Sequence, residues 1–218
     1  MADNYLERRM EEYRAGRLGS GRRVQAAAAR SRREGELIEK YPVLRVLVLG
    51  GTGALGEAVV RAFRQIDSRV DFFDTGFKAG SALAQSCGAR FHDFDLSDAE
   101  RLDRELDIVF ADRGDIDVLV NAMDTCSGRP FVQCMSRLVL HRSKAQDINP
   151  YGGRVVNIGE EYPDATDYAR RLLDYGITYG SVSQDSSKPV CTPVEIAGLV
   201  RFMALPANSG IAGCRMKI

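Results

Sequence analysis

The chain has 218 residues, 44% of them hydrophobic, which suits one good-sized core plus an accessory segment. Thirty basic and thirty acidic side chains cancel to a formal net charge of zero, so a general attraction to nucleic acid or anionic lipid is not expected. Five cysteines lack a CxxC pair or zinc-like spacing, no apolar run approaches the ~20 residues that cross a bilayer, and the start carries no signal-peptide order, so a metal-free, cytoplasmic, non-membrane protein is expected.

Residues 1–40 differ in kind from the rest. Residues 1–33 hold nine arginines, no lysine and four acids, a net of +5, with Leu6, Met10 and Tyr13 on one helical face. A basic helical arm is expected, packing on its own domain or on a neighbouring subunit, and a homo-oligomer is the expected assembly. Residues 41–218 form the second unit. Val43 to Leu49 reads as a buried strand, and Leu55, Val59, Phe63 and Ile66 mark a helix over 54–66.

Strand and helix then alternate. Strands are expected at 70–74, near 89–92, at 116–121, 153–158 and 177–182 (the last a weaker one), and near 212–218; helices at 79–87, from Ser97 to about Ala111, at 131–141 and at 167–174. Ser97 with Glu100 reads as a capping box, and Thr192-Pro193-Val194-Glu195 combines an N-cap residue, a first-position proline and a nearby glutamate. This order predicts an α/β fold, a doubly wound, Rossmann-like parallel sheet of about seven strands with an N-terminal helical arm.

The first strand runs directly into Gly50-Gly51-Thr52-Gly53-Ala54-Leu55-Gly56. Gly50, Gly53 and Gly56 have GxxGxxG spacing: the first permits a tight turn, the second a close approach of backbone to a pyrophosphate, the third helix packing. The following helix would aim its free N–H groups and positive dipole end at that anion. Gly50, Thr52, Gly53, Leu55 and Gly56 are therefore candidate cofactor contacts. Asp74, closing the second strand, is placed to bind ribose hydroxyls and to repel a 2′-phosphate, which favours NAD over NADP.

The glycine turn, Asp74, Asp95-Leu96, Ile116 to Ala122, Gly153 to Ile158, Asp174 to Ile177, and Glu195 to Ala204 with Ser209 to Gly213 together resemble the short-chain dehydrogenase/reductase family over residues 43–218. The resemblance implies that Asp95 and Leu96 face the adenine and that Asn121 and Ala122 flank the cofactor beyond the fourth strand. It also exposes departures. The family's tyrosine four residues before a lysine is missing, since none of the eight tyrosines is followed at that distance by lysine. Without that cation a phenol of ordinary pKa ~10 is a poor acid near neutrality.

Glu160 falls where the family has an oxygen-stabilising serine, Asn121-Ala122-Met123-Asp124 replaces Asn-Asn-Ala-Gly, and Ser183-Gln184-Asp185 replaces the Pro-Gly beside the nicotinamide. Tyr162 and Tyr168 are the least bad candidate donors. His92 and His141, the acids at 160, 161, 164 and 167, and Cys126 and Cys134 read as structural or solvated groups. The leading expectation is a dinucleotide-binding sensor or partner subunit with weak or no carbonyl reductase activity. The alternatives are an NAD-dependent oxidoreductase with a displaced acid, and an assembly protein with an empty nucleotide site.

Overall fold

The computed structural model describes residues 43–123, 128–144, 152–159, 165–184, 191–205, 208 and 214–218. Within them, seven strands and six helices alternate: β1 (Arg45–Leu49), α1 (Ala54–Arg64), β2 (Arg69–Asp74), α2 (Phe77–Cys87), β3 (Arg90–Asp93), α3 (Ala99–Arg113), β4 (Val118–Asn121), α4 (Gly128–Lys144), β5 (Gly153–Ile158), α5 (Ala165–Leu173), β6 (Ile177–Ser183), α6 (Pro193–Ala204) and β7 (Arg215–Lys217). The strands form one sheet in the order β3-β2-β1-β4-β5-β6-β7, and every neighbouring pair is parallel. The expected doubly wound sheet of seven strands is the fold. The chain reverses its direction of travel across the sheet between β1 and β4, which creates a crevice at their carboxyl ends.

Both faces of the sheet are covered, and the strand pleat explains how. In β1, Val46 and Val48 point into one core and Leu47 and Leu49 into the other; Val118 and Val120 of β4 are likewise separated from Leu119. The first core is closed by Val59, Val60 and Phe63 of α1 and by Ile196, Ala197 and Val200 of α6. The second is closed by Leu102, Leu106 and Val109 of α3 and by Phe131, Met135 and Leu138 of α4. Phe63, Phe72, Phe73 and Phe131 are at most 1% exposed, and each such side chain contributes roughly 1.5–3 kcal/mol of burial.

Helix ends follow local chemistry, with one correction to the reading above. Ser97 does not cap α3. Its N–H donates to Asp95 Oδ1 at 2.8 Å, which places Ser97 in an Asx-type turn, and Asp98 becomes the N-cap, accepting from Arg101 N at 2.9 Å. The capping box at Thr192 and Glu195 is complete. β6 is not a weak strand: it has seven residues and pairs on both sides. Among the described residues no helix is long and apolar enough to cross a membrane. The arm expected over 1–40 lies outside the described residues.

Candidate functional site

The turn between β1 and α1 sits at the switch point and is shaped by what its glycines exclude. Gly50 has φ +80°, and a Cβ there would meet the backbone of Ala122 and Met123 at 2.9 Å. The turn therefore lies directly against the chain leaving β4. Gly50 N donates to Phe73 O and Ala122 N donates to Leu49 O, both at 2.9 Å, so β2, β1 and β4 are tied together where they end. A Cβ on Gly56 would stand 1.9 Å from Gly50 O, so the first turn of α1 rests on the glycine turn itself. Gly53 is the N-cap in extended backbone and offers no side-chain acceptor to the helix, leaving the first amides of α1 without that competitor for an anion. Leu55 is half-buried and packs on the first core.

Asp74 ends β2 beside this turn, and its carboxylate is organised by three donors. Oδ2 accepts from Thr52 N at 2.8 Å and from Thr52 Oγ1 at 2.6 Å, while Oδ1 accepts from Thr75 N at 2.8 Å. Just beyond β3, Asp95 is exposed. The Ser97 backbone and side chain hold its carboxyl below the ordinary range. Leu96 is half-buried against the second core. Phe94 N donates to Asp74 O at 3.1 Å, so the segments after β2 and β3 leave the sheet side by side.

Beyond β4, Asn121 and Ala122 are both buried. Asn121 Nδ2 donates to Asn157 Oδ1 at 2.7 Å, and Asn121 Oδ1 accepts from Met123 N at 3.3 Å. Asn157 was missed by sequence reasoning; its signal is an amide near the end of the buried Gly153–Ile158 strand, in register with Asn121. The structure thus brings Gly50, Thr52, Gly53, Gly56, Asp74, Asn121 and Ala122 around one crevice, with Asp95 and Leu96 one strand further out. Tyr162, Glu160 and Cys126 lie outside the described residues, and Tyr168 is on α5 with its side chain outside them.

Among the remaining described candidates, the two histidines have structural partners and Cys134 is buried. His92 is buried, with Nδ1 2.9 Å from Glu105 Oε2 and Nε2 3.1 Å from Asp71 Oδ1. Burial by itself would raise the Asp71 carboxyl, but His92 and the Arg113 guanidinium at 2.8 Å outweigh it and hold Asp71 low. His141 stacks on Phe110 with ring centroids 4.3 Å apart. Burial raises the Cys134 thiol far above its ordinary value, so it is no nucleophile at neutral pH. Among the described residues no group of three or more His, Cys, Asp and Glu side chains could hold a metal ion.

A glycine turn into a helix at the switch point, with an acid at the end of the adjacent strand, defines the class: a Rossmann-like α/β protein. Residues 46–131 match the NAD dependent epimerase/dehydratase family. The chain is similar to BdcA (YjgI) from E. coli at 26% identity with a TM-score of 0.59, covering 82% of this chain and 100% of that one. It shares the fold of Pseudomonas aeruginosa RhlG, solved as an active-site complex with NADP (17% identity, TM-score 0.66, 84% and 98% covered). A short chain dehydrogenase from Bacillus anthracis shows the same fold (14%, TM-score 0.66, 80% and 94% covered). The family match is confined to residues 46–131, and the two structures below 25% identity show the shared fold alone.

Proposed function

We propose that the protein binds a nicotinamide dinucleotide, NAD(H) in preference to NADP(H), and has weak or no carbonyl reductase activity, serving as a sensor or partner subunit. The observation that carries the reading is the cradle at the switch point. Gly50 and Gly56 admit no side chain, Gly53 leaves the α1 amides uncapped, and the Asp74 carboxylate is held beside them. These residues fit the group: the α1 N-terminus suits the pyrophosphate, Asp74 the adenosine ribose, Asp95 and Leu96 the adenine edge, and Asn121 and Ala122 the path toward the nicotinamide. When bound, the nicotinamide supplies or accepts a hydride.

The chemistry at the other end of that path is poorly provided for. The sequence has no tyrosine four residues before a lysine, and the family resemblance implies that Glu160 takes the place of a hydroxyl that would face charge developing on a substrate oxygen. A tuned general acid typically contributes ~10²–10⁴-fold in rate, and a carboxylate in place of an oxyanion donor opposes the reaction further. The test is NADH oxidation by the full chain across a broad carbonyl panel, with Tyr162→Phe and Tyr168→Phe alongside. Turnover near the ordinary ~10 per second would refute weak activity, and its loss in either variant would identify a displaced acid.

A further inference from the structure

Thr52 reaches across 22 positions of sequence to place two donors on one oxygen of Asp74: its amide at 2.8 Å and its hydroxyl at 2.6 Å from Oδ2. Thr75 N, at 2.8 Å from Oδ1, holds the other oxygen from the opposite side. A carboxylate offers about four acceptor positions, two per oxygen, so three are in use and Oδ2 has none left. The one remaining position is on Oδ1. The side chain is thereby fixed before any ligand arrives, and its negative charge is held at the end of β2 rather than free to rotate into solvent.

We infer that Thr52 is a positioning residue for dinucleotide discrimination, its hydroxyl fixing the Asp74 carboxylate so that the latter accepts one ribose hydroxyl through Oδ1 and opposes a 2′-phosphate. The inference rests on the dinucleotide reading above and extends it to a residue whose own side chain points at the acid. A free aspartate could lower its repulsion of a phosphate by swinging away; one pinned from both sides cannot, and a ribose hydroxyl meets an acceptor whose ordering cost is already met. A neighbouring observation closes one route to phosphate acceptance. A Cβ on Gly51 would lie 2.4 Å from the Phe72 ring, so the turn has no room at that position for a basic side chain.

The experiment measures dissociation constants of NADH and NADPH for the full chain by nicotinamide fluorescence, in the parent, Thr52→Val, Thr52→Ser and Asp74→Ser, and in Asp74→Ser combined with Thr52→Val. Losing a hydrogen bond to a charged group predicts that Thr52→Val reduces the NADH preference about tenfold, while Thr52→Ser, which keeps the hydroxyl, stays within about twofold of the parent. Adding Thr52→Val to Asp74→Ser should change the ratio no further, because the effect passes through the carboxylate. If Thr52→Val does not fold, Thr52→Ala removes the same hydroxyl and takes its place. An unchanged ratio in a folded hydroxyl-free variant overturns the role of Thr52 and leaves the dinucleotide reading standing. An equal effect in the Asp74→Ser background also overturns it. A parent that prefers NADPH removes Asp74 and Thr52 together, and a parent that binds neither nucleotide refutes the dinucleotide reading itself.

Discussion

Gly56→Ala is the smallest change that tests whether the glycine turn is built for close packing. The added methyl would stand 1.9 Å from Gly50 O, 2.8 Å from Gly50 C and 2.8 Å from Gly51 Cα. All three neighbours are backbone, so no flexible side chain can move aside. Either α1 lifts from the turn or the turn is pushed toward the chain after β4, where Gly50 already has no space for a side chain. Overpacking of this kind costs about 1–3 kcal/mol, and the rigidity of the neighbours puts the expected value at the upper end. Alanine's better helix propensity returns about 1 kcal/mol at most, leaving a net loss of roughly 2 kcal/mol. Urea unfolding measures that loss, and NADH titration of the folded variant should show affinity falling at least about tenfold as the α1 amides shift. A variant as stable as the parent, with the same NADH affinity, would refute both the packing argument and the placement of the site.

Other expectations follow from charges and from residues 1–40. The Asp71 and Glu105 carboxyls lie below their ordinary values in the folded state, so they stabilise the fold above the unfolded pKa of ~4 and lose that contribution as pH falls through the lower folded values. Urea midpoints should drop between about pH 5 and pH 3, and Asp71→Asn should flatten the drop; an identical profile would contradict the assignment. Asp115 is 2.7 Å from the buried Arg142 guanidinium, so Asp115→Ala should cost about 3–5 kcal/mol by leaving that cation buried without its partner, again read by urea unfolding. Deleting residues 1–40 should change the number of subunits per particle seen by light scattering or the melting temperature, with NADH affinity largely kept; no change in either would remove this segment from assembly.

The fold was legible because its signals are local. The apolar β1 run, the helical stripe of α1 and the Thr192 to Glu195 cap each specify an element without reference to the rest of the chain. Ser97 misled because Ser97 and Asp98 are both competent N-caps, and only the Asp95 carboxylate, which takes the Ser97 amide, decides between them. β6 looked weak because Thr178 and Gly180 dilute its apolar pattern, whereas ladders on both sides supply what propensity does not. The glycine turn after β1 and the place of Asp74 at the end of β2 were readable from spacing. The Thr52 to Asp74 bonds and the Asn121 to Asn157 bond join residues 22 and 36 positions apart, and only sheet register brings such residues together.

The most direct measurement is calorimetric titration of the nucleotide-free full chain with NADH and with NADPH under identical conditions. The account predicts binding of NADH, with NADPH weaker because the fixed Asp74 carboxylate meets its 2′-phosphate. Heat of binding from neither nucleotide, in a chain shown to be folded, would contradict it.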